Sequence, residues 1–166
     1  MTRSIHAIAF AIAASATLAA PVAWSQKASP AALAGTWMLV SNVNTKTDGT
    51  KADVFGSNPK GILIFTPDGH FAVVNTRADL PKFASGNRMT GTAEENKAVV
   101  QGSIALYGRY TVKPDGSLGF DITSSTWPAW SGTQQARKYT LKGDELKWTL
   151  AASVGGTADL TWKRVK

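Results

Sequence analysis

His70 is the residue best suited to acid–base chemistry, and it directly follows the turn Thr66-Pro67-Asp68-Gly69. Histidine titrates near neutral pH, so His70 could carry a proton or contact a ligand. The alternative is a neutral, hydrogen-bonded residue at a strand end without further function. The chain contains no Cys, and its other histidine is His6. Thiol catalysis and disulfides are therefore excluded, and the sequence predicts neither a metal site nor a cofactor.

Two indoles flank a proline in the segment Trp127-Pro128-Ala129-Trp130. Large aromatic side chains in a loop either close one end of a domain or form an apolar rim around a ligand, with each indole N–H as an orienting donor. Both interpretations remain open at this stage.

Arg137 lies on the same face of a predicted strand as Tyr139 and Leu141, which places a guanidinium partly inside the protein. It could pair with Asp121 or Glu145 in a structural network, the reading we favour slightly. Alternatively, it binds a ligand carboxylate through its planar fork of donors.

Binding of a small apolar or amphipathic molecule is the function that these residues favour. Aromatic side chains would supply contact area, and Arg137 or His70 the polar contact. The same side chains are equally typical of a protein core that is filled by its own residues and binds no ligand. The candidate ligand-binding residues are Trp37, His70, Tyr107, Arg109, Tyr110, Trp127, Trp130, Arg137, Tyr139 and Trp148.

Catalysis is the alternative, as a cofactor-free isomerase, cyclase or hydrolase with His70 as weak candidate acid–base group and Tyr107, Tyr110 or Arg109 stabilising an oxyanion. No triad spacing supports it, so we favour binding over catalysis. A third possibility is an envelope protein–protein module that presents the long segment 77–102.

The segment Met1 to Gln26 has the composition of an export signal. Arg3 precedes an uncharged apolar run from Ile5 to Ala20, and Ala23-Trp24-Ser25 is a small-x-small cleavage site. The run is too short and alanine-rich for stable membrane insertion, since a spanning helix needs about 20 strongly apolar residues. The sequence therefore predicts a signal peptide at 1–25, one domain at 26–166, and a periplasmic or secreted protein.

Basic residues outnumber acidic ones, 18 to 11, but the lysines are scattered singly near predicted turns. A nucleic-acid surface would cluster them and interleave exposed aromatics. We therefore expect no nucleic-acid partner. No feature of the sequence specifies an oligomeric state.

Short runs of β-branched and aromatic residues, separated by Gly-containing turns, predict an all-β fold. Between the third and fourth runs, Thr92 and Glu95 form a capping-box signal for one short helix. The predicted strands are approximately Gly35 to Asn44, Gly61 to Thr66, Gly69 to Thr76, Ser103 to Val112, Ser117 to Ser124, Gln134 to Leu141, Glu145 to Ala151 and Ala158 to Val165.

An eight-stranded antiparallel up-and-down barrel is the fold we predict, because closure pairs both edges of the sheet. An open two-sheet sandwich is the alternative. Small residues predicted to face inward, Ser41, Ala72 and Ser124, leave space for a cavity or serve as taper positions in a filled interior. These two readings are equally compatible with the sequence.

The chain resembles the lipocalin-like domain family of bacteria and fungi over nearly the whole predicted domain. The resemblance begins with Gly35-Thr36-Trp37 and implies a calycin-type β-barrel that binds small apolar or amphipathic molecules, although the wider calycin group also holds a few enzymes. It further implies that Trp37 closes the barrel base and that Arg164 packs across it. The matching blocks are Phe55-Gly56, Pro59-Lys60-Gly61-Ile62-Leu63, Thr66-Pro67-Asp68-Gly69-His70, Phe83-Ala84-Ser85-Gly86, Gly91-Thr92-Ala93-Glu94-Glu95, Tyr107-Gly108-Arg109-Tyr110-Thr111-Val112 and Pro128-Ala129-Trp130-Ser131-Gly132-Thr133-Gln134-Gln135-Ala136-Arg137.

Overall fold

The computed structural model describes residues 29–166. The predicted signal segment Met1 to Gln26, with His6, lies outside the described residues. Within them, two α-helices, α1 (Pro30–Leu33) and α2 (Ala93–Gln101), and a 3-10 turn (Pro128–Trp130) accompany nine strands. The strands are β1 (Gly35–Thr45), β2 (Lys51–Ala52), β3 (Lys60–Phe65), β4 (His70–Thr76), β5 (Ser103–Val112), β6 (Leu118–Ser125), β7 (Gln134–Lys142), β8 (Glu145–Ala151) and β9 (Thr157–Arg164).

The eight long strands form a closed antiparallel barrel. Trp37 of β1 pairs with Leu63 of β3 on one side and with Arg164 of β9 on the other, so the first and last strands complete the ring. The predicted barrel is confirmed, and the open sandwich is excluded. Sequence patterns missed β2, a two-residue strand that pairs with the end of β1.

Two register irregularities change which side chains face the barrel interior. One lies between Leu39 and Ser41 on β1, opposite β9. The other lies between Tyr107 and Gly108 on β5, opposite β6. At the second, a Cβ on Gly108 would stand 2.0 Å from the Asp121 carbonyl oxygen, so only glycine fits there.

The predicted inward orientation of three small residues is wrong. Ala72 and Ser124 each lie opposite Tyr107, which is exposed on the outer surface. Ser41 directly follows the irregularity on β1, which interrupts the alternation of faces. None of the three leaves space in the interior.

One half of the barrel is filled by aromatic and aliphatic side chains. The rings of Phe71 and Phe120 meet edge to face with centroids 4.9 Å apart, and Phe65 stands 4.4 Å from Tyr110. These residues lie at inward positions because hydrophobic side chains alternate along each strand. The barrel is therefore a packed core at this end.

Helix α1 closes the packed end. The Trp37 indole donates to the Leu33 carbonyl at 3.0 Å. Arg164 stacks 4.0 Å above the Trp37 ring and donates to the carbonyls of Ala34 and Ala32 at 2.7 and 2.6 Å. The expected packing of Arg164 across Trp37 is thus confirmed, and the guanidinium also satisfies the carbonyls around α1.

Helix α2 lies in the connection between β4 and β5 and begins with a capping box at Thr92. Glu95 accepts from the backbone N–H groups of Thr92 and Ala84, both at 2.8 Å, and these bonds lower the pKa of its carboxyl. The helix is thereby joined to the loop before it. Across residues 29–166, every helix is too short or too polar to cross a bilayer.

Candidate functional site

The half of the barrel opposite α1 contains a cavity of about 740 Å³. Leu106, Trp148 and Leu160 separate it from the packed core, and Trp130 and Leu150 contribute to its wall. Residues from the end of α2 and from segment 152–154 also line it. The volume is typical of small-molecule sites in proteins.

Arg137 is a buried cation in the wall of this cavity, with only 3% of its surface exposed. Its guanidinium stacks 4.0 Å above the Phe120 ring and 5.2 Å from that of Trp148. One hydrogen bond holds it, from Nη2 to Gln135 Oε1 at 3.3 Å, and Nε has no partner within the described residues. Removal from water lowers the Arg137 pKa to about 9, so the side chain remains charged at neutral pH.

The prediction that Arg137 pairs with Asp121 or Glu145 in a structural network is wrong. Asp121 is exposed and aligned with Arg109 and Gln134, on the opposite face from Arg137. Glu145 instead pairs with Lys147 at 2.8 Å. Among residues 29–166, Arg137 therefore has no carboxylate partner.

Three asparagines form a polar wall across the barrel from Arg137. Asn42 and Asn44 lie on β1 and Asn75 on β4, and all three are buried and line the cavity. The Oδ1 atoms of Asn42 and Asn75 have no hydrogen-bond partner in the described part of the chain. Gly61 of β3 makes room for this wall, since a Cβ there would lie 2.4 Å from Asn75 Oδ1.

Tryptophans bring apolar area and one unpaired donor to the cavity. Trp148 Nε1 is buried without a partner among the residues described. Trp127 and Trp130 lie at the two ends of the 3-10 turn and both line the cavity, with Trp127 43% exposed. Thr133 fixes the turn by donating to the Trp130 carbonyl at 2.7 Å. The two indoles thus contribute to the cavity wall instead of plugging the barrel.

A second arginine in the cavity wall is already neutralised. Arg77 donates to both carboxylate oxygens of Asp79 at 2.9 Å, and this pairing lowers the Asp79 pKa. Arg77, Asp79 and Arg137 are the charged residues that line the cavity. The described wall therefore has one unneutralised positive charge, that of Arg137.

The structure brings four of the ten predicted binding residues together in the cavity wall: Trp127, Trp130, Arg137 and Trp148. Trp37 and Tyr110 belong to the packed end, where the Tyr110 hydroxyl donates to the carbonyls of Thr66 and Pro30. Tyr139 packs against the core without lining the cavity, and partial burial raises the pKa of its phenol. The remaining three are on the outer surface: His70, Tyr107 and Arg109.

His70 forms a hydrogen-bonded group with its neighbours on the outside of the barrel. Its Nδ1 lies 3.0 Å from Asp68 Oδ2, and its Nε2 lies 3.2 Å from an Arg109 nitrogen. A hydrogen bond from Thr66 is the largest influence lowering the Asp68 pKa, followed by that from His70. Because a guanidinium only donates, Nε2 is the acceptor in the contact with Arg109, and Nδ1 faces the Asp68 carboxylate.

Asn42, Asn44 and Asn75 are the buried polar residues of the cavity wall that sequence reasoning missed. Asparagine on a strand is normally taken as an outward-facing residue. A partial signal was present on β4, where Asn75 follows the inward positions Phe71 and Val73, but Ala72 and Val74 on the other face are also apolar. On β1 the register irregularity concealed the signal for Asn42 and Asn44.

Within residues 29–166, the structure contains no group of three or more acidic or histidine side chains that could hold a metal ion. The cavity instead offers apolar area, amide groups and one cation. Such an arrangement can bind and orient an amphipathic molecule.

Comparison with known proteins gives one family match. A family model described as a lipocalin-like domain matches residues 34–165. No curated protein matches the chain. A redesigned β-barrel is similar at 20% identity and a TM-score of 0.42, with 83% of this chain and 96% of that chain covered. A de novo designed fluorescence-activating β-barrel is similar at 14% identity and a TM-score of 0.39, with 80% and 93% covered.

Proposed function

Because this chain belongs to the lipocalin-like domain family, we propose that it binds a small amphipathic molecule in the cavity of its barrel. The observation that carries this proposal is the concentration of unpaired buried polar atoms around the cavity. Asn42, Asn75, Arg137 and Trp148 each contribute one, and all four line it. A buried polar group without a partner costs about 1–3 kcal/mol, so a ligand that supplies partners gains affinity.

An amphipathic ligand fits this wall better than a purely apolar one. Ile104, Leu106, Leu150 and Leu160 offer apolar contact, whereas the four residues with unpaired atoms need hydrogen-bond partners. A hydrocarbon would fill the volume and leave those atoms unpaired. The polar groups of an amphipathic molecule would pair with them.

The geometry favours binding over catalysis. His70, the acid–base candidate, lies on the outer surface with its side chain 51% exposed, and it does not line the cavity. A reaction inside the barrel would therefore proceed without it. Changes to the cavity wall therefore test the function of the barrel more directly than a substitution of His70 would.

Ligand extraction followed by rebinding tests the proposed function. Purified protein is extracted with organic solvent, and mass spectrometry identifies any bound molecule. The emptied protein is then titrated by calorimetry with three ten-carbon amphiphiles: decanoate, decanamide and decylamine. We expect at least one of them to bind with one-to-one stoichiometry.

A matched pair of variants locates the binding site. Ala152→Trp inserts an indole into the cavity wall, whereas Ala136→Trp adds one to the exposed outer face of β7. We expect Ala152→Trp to weaken binding and Ala136→Trp to leave it unchanged. Binding that survives Ala152→Trp, or an absence of binding for all three amphiphiles and of any extracted molecule, contradicts the proposal.

Export of the protein is proposed on the composition of Met1 to Gln26. Arg3, the apolar run and the small-x-small site together support cleavage near Gln26 and a periplasmic or secreted location. Expression of the full chain followed by amino-terminal sequencing of the exported fraction tests this. A chain that stays in the cytoplasm with its first residues intact contradicts it.

A further inference from the structure

Arg137 is unusual among the arginines of the described chain because it is both fully desolvated and without an anionic partner. Arg164 stacks on an aromatic ring at the same 4.0 Å, yet it donates to two carbonyls and lies 3.7 Å from Asp144. Buried charges in proteins are normally paired, because an isolated one loses its hydration without compensation. The cavity is where a partner for Arg137 could enter.

No protein group in the described wall can supply that partner. Asp79 is the one carboxylate lining the cavity, and both of its oxygens accept from Arg77. The unpaired indole N–H of Trp148 lies in the same region, since the Trp148 ring is 5.2 Å from the guanidinium. A donor-rich environment with one positive charge selects for an acceptor with one negative charge.

We propose that the molecule bound in the barrel is a monocarboxylate whose carboxylate pairs with Arg137, while its apolar portion contacts the aliphatic wall. This inference rests on the proposed function. A planar carboxylate matches the planar guanidinium fork and neutralises its single charge. A phosphate monoester carries up to two negative charges and three acceptor oxygens at neutral pH, which exceed what this single cation offers.

Matched amphiphiles separate the charge of the headgroup from its shape. Decanoate and decanamide have the same chain and a planar headgroup of the same size, and they differ in charge. Calorimetric titration of ligand-free protein should give a decanoate affinity about 10–100-fold higher than that for decanamide, the range expected for a charge-assisted hydrogen bond. Decyl phosphate should bind more weakly than decanoate, and decylamine most weakly.

Variants then assign the preference to Arg137. Arg137→Met should lower decanoate affinity by about 10–100-fold and reduce the preference for decanoate over decanamide to less than about threefold. Arg137→Lys retains the charge without the fork and should lose part of the preference. Arg109→Met is the control for net charge, because Arg109 lies on the outer surface and its removal should leave both affinities unchanged.

The outcomes distinguish this inference from the proposed function. Equal binding of decanoate and decanamide would overturn the carboxylate assignment and leave cavity binding intact. Tighter binding of decyl phosphate would overturn it in favour of a phosphate ligand. A decanoate preference that persists in Arg137→Met and Arg137→Lys would show that another group recognises the anion. If no amphiphile binds to the wild-type protein and extraction yields nothing, both the inference and the proposed function fail.

Discussion

Arg137→Met should make the ligand-free protein more stable, although it removes a buried charged side chain. Burial lowers the Arg137 pKa to about 9, and at about 1.36 kcal/mol per pH unit this shift corresponds to a desolvation cost on the order of 5 kcal/mol. Stacking on Phe120 and Trp148 offsets about 3 kcal/mol of that cost, and the Gln135 bond about 1 kcal/mol. These contacts therefore offset most of the desolvation cost and leave the charge with no net stabilising contribution at neutral pH.

A methionine side chain should make favourable contacts at this position. Its thioether can contact the rings of Phe120 and Trp148, worth about 0.5–1 kcal/mol. We therefore expect Arg137→Met to raise the free energy of unfolding by about 1–2 kcal/mol. In a domain of this size that is a rise in Tm of about 3–8 °C.

Arg164→Met is the matched control, because Arg164 also stacks on an aromatic ring at 4.0 Å. Its removal leaves the carbonyls of Ala32 and Ala34 without their donors. Each lost partner costs about 1–3 kcal/mol, so Arg164→Met should destabilise the protein by about 3 kcal/mol. The two arginines should thus respond in opposite directions to the same substitution.

Urea unfolding followed by circular dichroism measures both effects. The proteins are first unfolded and refolded to remove bound molecules, and mass spectrometry confirms that they are empty. An Arg137→Met protein that is less stable than the ligand-free wild type by 1 kcal/mol or more would show that the guanidinium stabilises the fold. The reasoning that assigns it to a ligand would then be refuted.

Three further substitutions or titrations test separate parts of the structure. Gly108→Ala should lower stability by about 3 kcal/mol in thermal denaturation, because the added Cβ would overlap the Asp121 carbonyl oxygen. An effect under about 1 kcal/mol would contradict the close approach of the β6 backbone to Gly108. Acidification should release the loop at Ala84 from Glu95. Because the Glu95 pKa is lowered, the hydrogen bond from the Ala84 N–H to the carboxylate is complete above pH 4.5 and is lost as the pH falls through the lowered pKa. The loss should appear as a shift of the Ala84 amide NMR signal. Trp127→Ala should speed ligand dissociation in stopped-flow measurements and change stability by less than about 1 kcal/mol, because this side chain lines the cavity and is 43% exposed. An unchanged rate would remove Trp127 from the site.

Strand positions were predictable because the sequence alternates clearly and places turn residues between strands. Strands β5 and β8 begin and end at the predicted residues. Closure followed from the same pattern, since the predicted sheet would otherwise expose two edges. On β4 the alternation is ambiguous, because Phe71 and Val73 face inward while Ala72 and Val74 are also apolar. Apolar residues on both faces therefore led to the wrong orientation for Ala72.

The cavity residues on β1 were unpredictable for a different physical reason. Regular alternation from Trp37 and Leu39 would place Ser41 inside and Asn42 outside. The irregularity between Leu39 and Ser41 reverses this, so that Asn42 and Asn44 become inward-facing. A strand sequence does not reveal such a bulge, because it depends on pairing with β9. The same effect on β6 moves Ser124 to the outer face.

The unpaired atoms link these irregularities to the stability prediction. A bulge that turns asparagine amides into a barrel is costly unless something pairs with them, as is a guanidinium without an anion. Four of the five unpaired buried side-chain atoms in the described chain belong to residues that line the cavity; the fifth is the indole nitrogen of Trp162 in the core. If poor packing in general produced unpaired polar atoms, they should be equally common at the packed end. There, however, Tyr110, Trp37 and Arg164 all have carbonyl partners. The asymmetry between the two ends supports the proposal that the partners of the cavity atoms arrive with a ligand, and the stability of the ligand-free protein tests that proposal.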